Sequence, residues 1–241
     1  MAQDMRATIP AEGRVIMISG ANRGIGLAIA QRLHEDGFCV SLGARDMDGL
    51  AAATAELGDE RVLRCRFEAR DRAMAGAWVA ETVERFGRLD GLVNNAGILL
   101  DFPYDEPDED LLDEMWEVHV KAPYRLIVAA LPHLRACGEG RIVNIVSNSG
   151  LRYSGGVPGY CLTKFAAMGL THMMRNQTWD DGIRVSGLCP GVTLTDMGRV
   201  PPGADVTTPG SLAVIVSMLI SLPNNTGVAA LPVNFAFEPT V

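Results

Sequence analysis

The chain has 241 residues and a net charge of −8, with 48% of its residues apolar and 21% charged. That length suffices for one α/β domain with a full core, and the negative balance speaks against a nucleic-acid partner, which needs a basic surface. No apolar run approaches the about 20 residues of a membrane span, and residues 1–12 lack the apolar core of a secretory signal and read as a flexible terminus. Five cysteines, at 39, 65, 137, 161 and 189, show no C-x-x-C spacing. They are expected to be free thiols in a reducing cytoplasm. The four histidines are scattered without metal-ligand spacing, so no metal site is expected.

The first element is the apolar run Val15-Ile16-Met17-Ile18, suited to a strand buried on both faces. Ser19-Gly20-Ala21-Asn22-Arg23-Gly24-Ile25-Gly26 follows, and Leu27 to Leu33 then repeats apolar residues with helical period. In a strand–turn–helix context, glycines let the backbone approach a pyrophosphate, and the helix N-terminus attracts its charge. The second strand, Phe38 to Leu42, runs into Gly43-Ala44-Arg45. A βαβ unit that binds NAD usually places an acidic residue here to accept from the ribose hydroxyls. Ala44 and Arg45 offer none. Arg23 and Arg45 are instead candidates for gripping a 2′-phosphate, because guanidinium forks match phosphate oxygens. The plainer alternative is two solvated surface arginines.

Further strands are expected near 61–67, 90–94, 141–147, 183–189 and 231–235, after those near 14–19 and 38–43. Helices are expected near 24–36, 46–57, 71–86, 109–136, 159–178 and 208–221. Alternation at this spacing implies an α/β fold: a Rossmann-like doubly wound parallel sheet in a single domain. The acidic stretch Asp101 to Glu114 suits a solvated loop leading into a helix N-terminus. The strand Arg141 to Ser147 delivers a serine hydroxyl at its carboxyl end, where open α/β sheets place their ligands. Thirteen residues later stands Tyr160, and Lys164 lies one helical turn beyond it. A cation beneath a phenol lowers a pKa of about 10, so Tyr160 could serve as a proton donor and acceptor at a reacting oxygen. Alone, Tyr-x-x-x-Lys is a weak pattern. Here Lys164 is one of two lysines against nineteen arginines, and the glycine turn stands at the other end of the chain.

These motifs resemble the short-chain dehydrogenase/reductase family over nearly the whole chain. The resemblance is carried by Gly20-x-x-x-Gly24-x-Gly26, Asn94-Asn95-Ala96-Gly97, Ser147 with Tyr160-x-x-x-Lys164, and Pro190-Gly191-x-x-x-Thr195. It implies an enzyme that moves a hydride between NADP(H) and a carbonyl/alcohol pair. NAD(H) in a catabolic alcohol dehydrogenase is the first alternative, and a non-catalytic dinucleotide-sensing or scaffold protein the second. The resemblance assigns catalysis to Ser147, Tyr160 and Lys164. It assigns cofactor contacts to Gly20, Asn22, Arg23, Gly24, Ile25, Gly26, Arg45, Glu68, Ala69, Asn94, Ala96 and Gly97, and beyond these to Tyr160, Lys164, Pro190, Gly191, Val192 and Thr195. It further implies a homodimer or homotetramer built on the two long helices, and a short substrate loop over 195–207.

Three positions depart from the family pattern. His119 stands where an asparagine usually holds a water that connects the lysine to solvent. If the imidazole takes over that relay, its titration should show as an inflection between about pH 6 and 7. Glu68 stands where the family has an aspartate at the adenine pocket. The C-terminal Asp-Gly-Gly is replaced by Thr226-Gly227-Val228 with Leu231 to Phe237 beyond.

Overall fold

A computed structural model describes residues 8–153, 157–198, 200 and 203–236. Seven strands form one sheet: β1 (Val15–Ser19), β2 (Cys39–Ala44), β3 (Val62–Arg66), β4 (Gly91–Asn94), β5 (Arg141–Ile145), β6 (Arg184–Pro190) and β7 (Ala230–Val233). The spatial order is β3-β2-β1-β4-β5-β6-β7, and every pairing is parallel. The order reverses between β1 and β4, so a crevice opens at their carboxyl ends, the place where this class of sheet holds ligands.

Both faces of the sheet are covered, which is why β1 reads as an unbroken apolar run. On one face lie α1 (Gly24–Glu35), α2 (Met47–Ala53) and α7 (Pro209–Ser221). There Ile29, Leu33, Leu50, Leu212 and Val216 pack on Ile16, Ile18 and Val93. On the other lie α3 (Met74–Phe86), α5 (Ala122–Cys137) and α6 (Pro158–Thr178). Trp78, Leu126, Ile127, Leu170 and Met174 cover Met17, Leu92 and Ile142 on that face. The strand and helix positions agree with those expected from the sequence to within a few residues.

Two differences matter. The single helix expected over 109–136 is broken: α4 (Glu109–Trp116) leads into a π-turn over Glu117–Lys121 before α5 begins. Pro123 supplies the cause, because it has no N–H to give the carbonyl of His119 in the ordinary ladder. The Ala122 N–H bonds five residues back, to Glu117 O. The N-terminus is also less free than expected from residue 8 on. Ile9 is buried and its N–H donates to Ser221 O at 2.7 Å. Residues 1–7, Pro201 and Pro202 of the loop expected over 195–207, and Phe237 lie outside the described residues. No helix among those described is long and apolar enough to cross a membrane.

Candidate active site

The glycine turn is welded to the tip of β4. The Ser19 hydroxyl accepts from the backbone N–H groups of Asn95 and Ala96, both at 3.0 Å. The Asn95 amide donates to the carbonyls of Ser19 and Gly20 at 2.9 and 3.1 Å. A Cβ on Gly26 would stand 2.2 Å from Gly20 O, so only glycine fits there. Gly20 and Gly24 both take positive φ, 69° and 55°, which glycine adopts without strain. The N-terminus of α1 has no side-chain cap and no acidic residue in its first turn. Its unpaired N–H groups therefore suit an anionic group such as a pyrophosphate.

The two arginines read as phosphate contacts both sit beside carboxylates. Arg45 Nη1 is 4.0 Å from Glu68 Oε2, and Arg23 Nη1 is 3.2 Å from Asp196 Oδ2. These acids come from the segment after β3 and from the loop after β6, not from the end of β2. Asp46, next to Arg45, is occupied as the N-cap of α2, where it accepts from the Gly49 N–H at 2.9 Å.

Ser147 lies two residues beyond β5, with its hydroxyl accepting from the Ser149 N–H at 3.1 Å. Tyr160 and Lys164 occupy successive turns of α6. Gly159 and Gly150 let the surrounding chain close on this helix: a Cβ on Gly159 would meet the Phe102 ring at 2.5 Å, and one on Gly150 would meet Lys164 O at 2.6 Å. The expected lowering of the Tyr160 pKa is not found. Burial pushes its phenol up to about 12, and a hydrogen bond with Ser147 only partly opposes this. The Lys164 ammonium lies 5.4 Å from the centre of the phenol ring and donates to Ile145 O at 3.1 Å. Burial in turn pushes Lys164 down to about 8. Desolvation outweighs the Ser147 hydrogen bond at the phenol and the opposing influence of Cys189 at the ammonium.

His119 projects from the π-turn into the same region and is almost fully buried. Its Nε2 accepts from the Ile98 N–H at 3.1 Å, and its Nδ1 lies 2.8 Å from the Thr163 hydroxyl. Its ring stands at right angles to that of Tyr160, with centroids 5.4 Å apart. Burial holds its pKa well below the usual histidine value, and the positive charge of Lys164 works in the same direction. An inflection near pH 6 to 7 from this residue is therefore not expected. A small cavity of about 10 Å³, lined by Asn94, His119, Pro123 and Lys164 among others, lies behind the lysine. Asn94 Oδ1 is buried and has no partner among the described residues, while the side-chain amide donates to Asn144 Oδ1 at 2.8 Å.

One cleft of about 960 Å³ gathers nearly all the positions read from the sequence. Gly20, Asn22, Arg23, Gly24, Ile25, Arg45, Glu68, Ala69, Ala96 and Gly97 line one end. His119, Ser147, Tyr160, Lys164, Pro190, Gly191, Val192 and Thr195 line the remainder. Gly26 and Asn94 do not line it; the first shapes the turn and the second faces the small cavity. Of the other residues lining the cleft, Asp196 falls in the loop expected over 195–207, while Asn148 was missed by sequence reasoning. Asn148 donates to Asn234 across the Pro190–Gly191 turn, a contact between segments 86 residues apart that no local pattern announces.

The fold and the cleft define an α/β protein of the Rossmann-like, doubly wound kind. A family model described as short chain dehydrogenase matches residues 14–201. The chain is 40% identical over 220 residues to agropine synthesis reductase of Rhizobium rhizogenes, with 87% of this chain and 50% of that protein covered. It thus spans about half the length of that relative. It is 33% identical over 192 residues to levodione reductase of Leifsonia aquatica, covering 76% of this chain and 71% of that one. Among solved structures, an alcohol dehydrogenase of Thermococcus sibiricus complexed with 5-hydroxy-NADP superposes with a TM-score of 0.86. The identity is 30%, and 95% of this chain and 99% of that one are covered. The chain belongs to the short-chain dehydrogenase/reductase family.

Proposed function

We propose that this protein is an NADP-dependent reductase of a small-molecule carbonyl. The observation that carries the reading is that Ser147, Tyr160 and Lys164 line the same cleft as the glycine turn. The nicotinamide cofactor supplies the hydride when bound. The chain's own residues do the rest. Ser147 bonds and orients the substrate oxygen. Tyr160 gives that oxygen its proton, and the raised pKa of the part-buried phenol keeps it in the acid form at neutral pH. Lys164 supplies the positive charge that supports the phenolate as it forms. The uncapped start of α1 and the glycine turn suit the pyrophosphate, and Arg23 and Arg45 suit the 2′-phosphate.

The NADP preference has support from the two arginines, which are exposed and able to leave weak surface ion pairs for a doubly charged phosphate. It also has support from the Thermococcus sibiricus alcohol dehydrogenase, whose structure is a complex with an NADP derivative. The second reading is NAD as cofactor, favoured by Glu68 beside Arg45, where a carboxylate could accept from ribose hydroxyls. The five cysteines are free, which suits a cytoplasmic setting. A panel of carbonyls and alcohols followed by nicotinamide absorbance with each cofactor tests the reading. Faster reduction with NADPH than with NADH is expected. No turnover with any substrate would refute it, and a preference for NADH would favour the second reading.

A further inference from the structure

His119 is the buried titratable group that the mechanism above leaves unused. Its hydrogen bonds determine its protonation. The Ile98 N–H donates to Nε2 at 3.1 Å, so Nε2 must present a lone pair. The Thr163 hydroxyl donates its one proton to Tyr160 O at 2.9 Å. It can therefore only accept from the imidazole, so Nδ1 carries the ring proton. A second proton on Nε2 would face the Ile98 N–H, donor against donor. Among the described residues no carboxylate offsets this: Glu117, on the same turn, pairs with Lys121 and Arg125 at 2.6 and 2.7 Å. The charged group that acts on the ring is Lys164, from α6. The ring also packs close against the chain it bonds, since a Cβ on Gly97 would stand 3.4 Å from Nε2.

We propose that His119 is a positioning residue, a neutral strut that ties the Gly97–Ile98 segment to the turn of α6 carrying Tyr160 and so fixes the approach of the phenol to the substrate oxygen. It replaces the proton relay expected of this position, and it rests on the carbonyl-reduction reading. The geometry supports it from both ends. Gly97 and Ile98 line the cleft on one wall, and Tyr160 lines it on another. The strut joins them through Thr163, whose own hydroxyl bonds the Tyr160 carbonyl. The perpendicular ring contact adds a second restraint on the phenol. An asparagine could reach only the nearer partner, because the ε position of the ring lies one bond further out.

Three variants and one spectrum test this. His119→Phe keeps a flat ring, somewhat larger than imidazole, and loses both hydrogen bonds. Thr163→Val removes the partner on α6, and carries the test if the first variant does not fold. His119→Asn can keep the bond to Thr163 alone. We expect kcat for carbonyl reduction to fall roughly ten- to a hundredfold in the first two, because small misplacements of a reacting group have effects of that size. NADPH affinity by calorimetry should stay within about threefold. The double variant should lose little more than either single one, as coupled residues do. His119→Asn should fall between parent and His119→Phe. In ¹⁵N spectra of histidine-labelled protein, the His119 ring should remain the neutral Nδ1–H tautomer from about pH 5.5 to 8. A ring that titrates near 6.5, or a His119→Phe variant with parental kcat, overturns the strut. A parent that reduces no carbonyl while its ring stays neutral would instead count against the reductase reading.

Discussion

Tyr160 carries the chemistry in the reading above, and its burial decides the pH behaviour. With its phenol pushed up to about 12, it holds its proton across the working range. Lys164, pushed down to about 8, loses its charge as pH rises through that value. A group with a depressed pKa is protonated below the shifted value and neutral above it, so the supporting cation is present below about pH 8 and lost beyond. Reduction should therefore run level from about pH 6 to 8 and decline above, with no step from His119. A rate that climbs between pH 8 and 9.5 would refute this assignment. Tyr160→Phe removes only the proton donor, so turnover should drop at least about a hundredfold, the lower range of general-acid contributions, with NADPH affinity unchanged. Activity within a few-fold of the parent would sink the role. Arg45→Ala should weaken NADPH about tenfold or more and leave NADH within about twofold, as loss of one charge-assisted contact implies. Titration calorimetry that finds equal losses for both cofactors would show Arg45 to be a general surface residue.

At the scale of the elements, the turn between β1 and α1 leaves no room for a side chain at Gly26. A Cβ on Gly26 would lie 2.5 Å from the Asn95 amide as well as against Gly20 O. Both neighbours are fixed by hydrogen bonds and have nowhere to go. Gly26→Ala should cost about 1–3 kcal/mol of stability, the usual range for overpacking, and should abolish measurable cofactor binding by displacing the turn. A melting temperature and a dinucleotide affinity equal to the parent would contradict that. This turn was legible in the sequence because its cause is local: an apolar run, spaced glycines and a periodic helix stand side by side. The seven strands were legible for the same reason. The break at Glu117–Lys121 has a local cause in Pro123, yet the apolar pattern runs through it, and periodicity alone predicted one long helix. The Arg23–Asp196 pair joins segments 173 residues apart, and the tyrosine's pKa depends on burial by several elements. Such features belong to the folded chain and leave no trace in local spacing.

At the scale of the whole molecule, the question is what covers the outer faces of α5 and α6. On α6, Leu162, Phe165 and Met173 recur at helical spacing and are exposed by 58%, 46% and 45%. Gly169 falls on the same stripe, and a Cβ there would meet nothing within 4 Å. On α5, Tyr124 and Val128 stand one turn apart and are likewise exposed. Single exposed apolar residues are ordinary, but exposed apolar stripes on two helices of the same sheet face are candidates for an interface. Burying a phenylalanine or leucine contributes about 1.5–3 kcal/mol each. A helix-paired contact of standard size, roughly 800 Å² per partner, would use both stripes. We predict a homodimer or homotetramer at micromolar concentration by light scattering. Phe165→Asp places a charge in the middle of the α6 stripe, where pairing would desolvate it without a partner. That variant should raise the dissociation constant at least about tenfold while keeping the circular dichroism of the parent. A parent that scatters as a monomer at these concentrations, or a Phe165→Asp protein that assembles as tightly as the parent, would show that these stripes are bare surface.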